Sequence, residues 1–182
     1  MTLKTHFETG IGLSLLIGGM AIQKIDVMDI SAGSKLGIMA AILVGVTAGS
    51  VYPDIDLEES NLNADDMMMR WESKLDHRGI VHTLINVAGI VLPFALLNLL
   101  LKTVTPFDVT WITVLGLSMS VGCVWHMLLD SMTPNGISWL YPLTRFRFKI
   151  PIIRNHFTER IFRIIVTSIF LYYAIHFWST NF

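Results

Sequence analysis

His126 and Asp130 stand four residues apart in the run VWHMLLDSMTPNG. That spacing puts an imidazole and a carboxylate on one face of a helix, one turn from each other. The stretch leading to them from Trp111 is almost wholly apolar and long enough to cross a bilayer. A crossing helix that ends in a chelating pair, then breaks at Pro134-Asn135-Gly136, is poorly explained by packing, because ionisable side chains in a membrane are expensive without a partner. The chemistry suggested is a metal ion held at the membrane rim. The plainer account is a polar pair hydrogen-bonding between helices.

Other residues of ligand type recur along the chain: His6, Asp54 and Asp56 in VYPDIDLEE, and His77 and His82 in DHRGIVH. Each has a plain alternative. His6 could be a solvated residue near a chain start, and Pro53-Asp54-Ile55-Asp56 a helix stop with an Asx turn. On a helix, His77 and His82 lie about 140° apart and cannot share a face. Either His77 precedes the helix or only one of the two binds metal. Arg78 and His82 would share a face, so Arg78 is a candidate for holding a substrate phosphate. Its alternative role is to snorkel toward headgroups. Mixed N/O ligands suit Zn²⁺, Mn²⁺ or Fe and argue against a thiolate site. A bridging carboxylate could join two ions about 3.5–4 Å apart, an arrangement that activates water and clamps phosphoryl oxygens. No H-E-x-x-H, G-x-S-x-G or Walker loop occurs, which disfavours zincin proteases, hydrolase elbows and P-loop NTPases.

The elements that must position these residues are apolar helices. The chain has 182 residues, 53% of them hydrophobic, with mean hydropathy +0.59 and net charge −1. This is more apolar than ordinary soluble domains and gives no sign of nucleic-acid binding. The length fits one domain, residues 1–182. Cys123 is the lone cysteine, so no intrachain disulfide forms, and it reads as a small packing residue. A bilayer core of ~30 Å needs about 20 helical residues. Five stretches qualify: 7–23, 34–52, 80–101, 110–130 and 161–178. The first resembles a signal peptide, but no small-x-small cleavage site follows, so it is read as a retained span. Its Gly10, Gly12, Gly18 and Gly19 would let neighbouring helices approach closely.

Five crossings put the amino terminus and both long loops on one side. Lys4, Arg70, Lys74, Arg78, Arg145, Arg147, Lys149, Arg154, Arg160 and Arg163 belong there, and only Lys24, Lys35 and Lys102 belong opposite. The positive-inside rule therefore makes the amino terminus and long loops cytoplasmic and the carboxyl terminus external. All the ligand-type residues singled out above then fall at helix ends on the cytoplasmic side. Other conspicuous residues have simpler readings. Met67-Met68-Met69 reads as a membrane-surface element, His156 as a solvated linker residue, and His176 as remote from the cluster. Trp139, Tyr141, Trp178 and Phe182 read as interfacial aromatics, and Arg145 to Lys149 as a stretch lying along anionic headgroups.

These motifs resemble the YdjM-like family of bacterial inner-membrane proteins, described as membrane-bound metal-dependent hydrolases. The resemblance covers His6 with the glycines after it, Pro53-Asp54-Ile55-Asp56, His77-Arg78-Gly79 with His82, and His126-x-x-x-Asp130 with Thr133-Pro134 and Gly136. The tail after about Arg145 contributes little. A more distant likeness is to zinc-dependent phospholipase C and the related fungal single-strand nucleases. That likeness implies a first metal held by Asp54 or Asp56, His77 or His82, His126 and Asp130, and a second held by His6 and a bridging Asp130. The third metal of those enzymes has no counterpart, since Asn135 and Gly136 follow the turn and no H-x-x-x-E appears.

The expectation is therefore an all-α, polytopic helix bundle in a bacterial inner membrane, with about five spans. It would hold one or two divalent ions, zinc first, with Mn or Fe as alternatives. It would hydrolyse a phosphate ester, plausibly lipid-derived, with membrane lipids as its surroundings and no nucleic-acid partner. Arg78 and Asp56 are the residues assigned to the chemistry itself. Metal-free phosphatidic-acid phosphatases also use His-x-x-x-Asp, but after Ser-Arg, whereas Val124-Trp125 precede His126 here. A metal transporter or sensor would spread ionisable groups along its spans, yet these gather at one end. A structural membrane protein is the remaining alternative.

Overall fold

The computed structural model describes residues 1–54 and 80–180. Five long helices form it: α1 (Leu3–Asp26), α2 (Ala32–Val51), α3 (Leu84–Val104), α4 (Thr110–Ser131) and α5 (His156–Ser179). Short 3-10 turns lead out of α2, Tyr52–Asp54, and toward α3, Ile80–His82. An isolated antiparallel bridge between Ile137 and Phe148 is the only strand-like pairing among the described residues.

The helices pack as a row. α5 lies on α1, α1 on α2, α2 on α4, and α4 on α3. Among the described residues, four segments are long and apolar enough to cross a membrane: Ala32–Asp54, Leu84–Val104, Thr110–Ser131 and His156–Ser179. α1, the remaining expected span, is 24 residues long and therefore of spanning length, but it is less apolar, with Lys4, Glu8, Lys24 and Asp26 near its ends. The outer helices show what solvent the bundle requires. α3 exposes Leu92, Leu96, Leu99 and Leu100, and α5 exposes Ile164, Ile165, Ile169 and Ile175. Continuous apolar faces of this kind match hydrocarbon and would aggregate in water. The architecture is a polytopic membrane helix bundle.

Local chemistry sets the helix limits and shifts two of the expected ones. The last span was expected from residue 161 but begins at His156. Asn155 Oδ1 accepts from Thr158 N at 2.9 Å while Thr158 Oγ1 accepts from Asn155 N at 3.1 Å, a capping box that carries the helix start past Glu159 and Arg160. His156 is thus the first helical residue, and its side chain is exposed. The third span was expected from residue 80 but begins at Leu84, because Thr83 caps it and accepts from Asn86 N at 3.3 Å.

Small residues bring the inner helices together. A Cβ at Gly49 would collide with the Met119 carbonyl, and one at Gly122 with the Val46 carbonyl, so α2 and α4 cross backbone to backbone. A Cβ at Gly10 of α1 would collide with the Ser50 side chain of α2. Gly12 and Gly19 face Phe170 and Trp178 of α5. Trp178 is accordingly tied to the bundle, its indole N–H donating to the Leu15 carbonyl at 3.2 Å.

A candidate metal centre at one end of the bundle

Five side chains meet where α1 starts, α2 and α4 end, and the chain turns into α3. His6 lies in the second turn of α1, inside the helix rather than before it. Asp54 closes the 3-10 turn after α2, and His82 closes the one before α3. His126 and Asp130 share the last two turns of α4. All five side chains are buried, none more than 6% exposed.

The ligand atoms converge. Asp54 Oδ1 lies 3.4 Å from His82 Nε2 and 3.5 Å from His126 Nε2, and the two Nε2 atoms are 3.3 Å apart. A tetrahedral ion with bonds of about 2.0–2.1 Å separates its ligands by roughly 3.3–3.4 Å, so these atoms trace one face of such a tetrahedron. Asp130 Oδ2 lies 4.0 Å from His126 Nε2, a little beyond such an edge, and is the candidate for the fourth corner. The atoms of Asp54, His82, His126 and Asp130 all lie within 4.8 Å of one another. A second group sits beside the first. His6 Nε2 is 3.3 Å from Asp130 Oδ1 and 3.7 Å from Asp54 Oδ2. Both carboxylates thus direct one oxygen to each group. Asp130 Oδ1 also lies 3.0 Å from the Met1 nitrogen.

The imidazoles are set for coordination. His126 Nδ1 lies 2.9 Å from the Ser50 carbonyl, which can only accept, so Nδ1 carries the proton and Nε2 presents its lone pair inward. The close α2–α4 crossing at Gly49 and Gly122 is what brings Ser50 within reach. His6 stacks on His126 with ring centroids 3.8 Å apart. Neither ring nitrogen of His6, nor His82 Nδ1, has a hydrogen-bond partner. Burying a polar group unsatisfied costs about 1–3 kcal/mol, a cost that coordination would offset at His6 Nε2 and not at the two Nδ1 atoms. The donor set therefore fits a divalent ion that accepts nitrogen and oxygen ligands.

A supporting frame surrounds these residues. Glu159 Oε1, at the start of α5, accepts from Thr2 N at 2.8 Å and from the Thr2 and Thr5 hydroxyls at 2.7 Å each, pinning the beginning of α1. The Trp125 indole donates to Thr9 Oγ1 at 3.1 Å and holds α4 against α1. Beyond α4, Thr133 Oγ1 donates to the Asp130 carbonyl at 2.7 Å. Gly136 then turns at φ +61 where a Cβ would meet the Phe148 carbonyl, and buried Ile137 packs with Ile90, Cys123 and Met127. Leu84 N donates to the Trp139 carbonyl at 3.0 Å, and the Trp139 indole to Ser131 Oγ at 2.9 Å. Trp139 therefore packs against the core beside Cys123 and Met127 instead of standing free as an interfacial aromatic.

A profile of the YdjM inner membrane protein family matches residues 1–181. The chain belongs to that family. It is 30% identical over 127 residues to inner membrane protein YdjM of Escherichia coli (strain K12), and equally to inner membrane protein YdjM of Shigella flexneri. The aligned stretch covers 67% of this chain and 59% of each relative's own length. No solved structure matches. Localisation in an inner membrane accords with the apolar spans.

Of the site residues expected from sequence, this family member brings His6, Asp54, His82, His126 and Asp130 together. Asp56, His77 and Arg78 lie outside the described residues. His82 itself lies in the turn before α3, two residues ahead of its start. His176 sits near the opposite end of α5, remote from the cluster. Sequence reasoning missed Glu159, whose signal is a carboxylate in the first turn of an apolar helix, and the Ser50 carbonyl, which no side-chain pattern marks. It named Asp130 alone as a bridge, whereas Asp54 faces both groups as well.

Proposed function

We propose that the chain is a metal-dependent phosphoesterase working at the cytoplasmic face of the membrane. The observation that carries this reading is the near-equilateral triangle of Asp54 Oδ1, His82 Nε2 and His126 Nε2, with sides of 3.3–3.5 Å. A second ligand group shares both carboxylates with it. When bound there, divalent ions supply a water acidic enough to act as nucleophile near neutral pH and positive charge for phosphoryl oxygens. The chain's own residues do the rest. Ser50 fixes the His126 tautomer, and the stacked His6 and His126 rings fix the spacing of the two groups. In the reaction, water oxygen bonds to phosphorus, the bond to the alcohol oxygen breaks, and the alcohol leaves with a proton. Arg78, with the ions, is assigned to the developing charge, and Asp56 is kept as the second residue of the chemistry, as in the sequence argument.

A structural metal clasp is the second reading, and the burial of all five side chains favours it, since structural sites are closed whereas catalytic sites keep an open position. Metal analysis of the purified full chain, followed by a phosphate-ester screen, separates the two. We expect zinc or a similar ion in wild type and its loss in His126→Ala and Asp130→Ala, with hydrolysis lost in parallel. Metal without hydrolysis of any ester supports the clasp. Wild type without metal, and variants with full activity, sink both readings.

A further inference from the structure

An apolar groove of about 580 Å³ runs along the seam of α1 and α2, with Met119 of α4 at its floor. α1 contributes Phe7, Ile11 and Leu15, α2 contributes Val44 and Ala48, and Tyr52 follows directly after α2. These recur at helical spacing, so the groove follows the helix axes for about 12 Å, less than half of a ~30 Å hydrocarbon core. Of its three hydroxyl residues, Ser14, Thr47 and Tyr52, two bond within the wall: Thr47 Oγ1 donates to Ser14 Oγ at 3.2 Å, and Ser14 Oγ donates to the Ile11 carbonyl at 2.8 Å.

The ends of the groove differ. One end lies within the bundle, at Leu15 and Leu43. The other is at the metal centre, where Phe7 follows His6 and Tyr52 begins the turn that ends in Asp54. Phe7 is 47% exposed and Val44 60%, so the groove opens sideways toward the bilayer. A hydrocarbon chain entering from the membrane meets a matching wall, and its polar end lies toward the end of the bundle that carries the ligand cluster, although none of the five ligand residues lines the groove itself.

We propose that this groove holds an acyl chain of a membrane phospholipid and delivers its phosphate ester to the Asp54–His82–His126 centre. The inference rests on the phosphoesterase reading and narrows its substrate to an acylated phosphate ester. Only one chain needs the groove, and a second can remain in the surrounding bilayer. Chain length then governs binding through the groove, while the headgroup alone meets the metal ligands.

The test uses the full chain in lipid nanodiscs and a phosphatidic acid probe carrying a diazirine in one acyl chain. Photolysis and peptide mapping are expected to place label on Phe7, Val44 and Ala48. Ala48 faces open space, so Ala48→Phe fills the groove and is expected to lower that labelling about tenfold with zinc content unchanged. Label spread evenly over lipid-facing residues such as Leu96 and Ile165, or insensitivity to Ala48→Phe, overturns the proposal. A second arm compares hydrolysis of dioleoyl and dibutyryl phosphatidic acid. Ala48→Phe should slow the long-chain ester and spare the short one. Groove labelling without release of phosphate from either ester upholds the groove and sinks the phosphoesterase reading. Hydrolysis of the short ester without groove labelling does the reverse.

Discussion

At the scale of the residue, the centre depends on groups that hold its ligands as much as on the ligands. His126 presents Nε2 because Ser50 occupies Nδ1. His6 is held because α1 is pinned at its start, and Glu159 does the pinning through three bonds to one carboxylate oxygen. Glu159→Leu would leave those three donors without their acceptor, at about 1–3 kcal/mol for each group that stays buried. The more telling effect concerns metal. A ligand bound only by the folded state raises Tm by mass action, so zinc should stabilise wild type. In Glu159→Leu that zinc-dependent rise should shrink because His6 is no longer fixed, whereas Glu159→Gln, which keeps a carbonyl acceptor, should retain most of it. Equal zinc-induced shifts in all three proteins, read by thermal unfolding in detergent, would show that Glu159 has no part in the centre. The sequence exposed the ligands better than their supports. His126-x-x-x-Asp130 is visible because polar residues stand out in an apolar run, but a backbone carbonyl such as that of Ser50 carries no letter of its own. Glu159 was passed over because a carboxylate near a helix start already has a plain role beside the macrodipole.

At the scale of the element, the α2–α4 crossing decides whether the centre exists. Gly49 and Gly122 put backbone against backbone, and one turn beyond Gly122 lies His126. Gly49→Val would push the helices apart, because its side chain meets the Met119 backbone, which cannot rotate away. Overpacking of this kind costs about 1–3 kcal/mol. We expect Gly49→Val to stay in the membrane, unfold at lower temperature, and bind zinc at least tenfold more weakly, as loss of an outer-sphere partner typically produces. Wild-type zinc affinity in that variant would mean that the crossing does not set the centre. Helix number and order were legible in hydropathy, since spans of about 20 apolar residues leave few alternatives. Helix limits were less so, because hydropathy locates the apolar middle while caps set the ends. The Asn155–Thr158 box moved α5 outward, and Thr83 moved α3 inward past His82. The second shift mattered most, since it put His82 in the turn before the helix, at the mouth of the ligand cluster.

At the scale of the whole molecule, what matters is which side of the membrane the centre faces. The starts of α1, α3 and α5 and the ends of α2 and α4 form one end of the row, and every ligand lies there. Lys4, Arg145, Arg147, Lys149, Arg154 and Arg160 are exposed on the elements of that end. At the other end stand Lys24, Lys35 and Lys102, with Lys35 Nζ donating to the Asp26 carbonyl at 2.8 Å. The charge asymmetry is therefore a property of the folded bundle, and short-loop basic residues remain on the cytoplasmic side during insertion. We expect alkaline phosphatase fused after Thr180 to be active, because it would be exported, and the same enzyme inserted between Leu143 and Thr144 to be inactive. Replacing Arg145, Arg147, Lys149 and Arg154 together by Gln should weaken that contrast, since it removes much of the bias while leaving the described ligands intact. The opposite pattern in the unmodified chain would place the metal ligands on the external face. The centre would then meet lipids and esters of the outer leaflet, and the acyl groove, which opens within the bilayer beside it, would draw its chain from that leaflet.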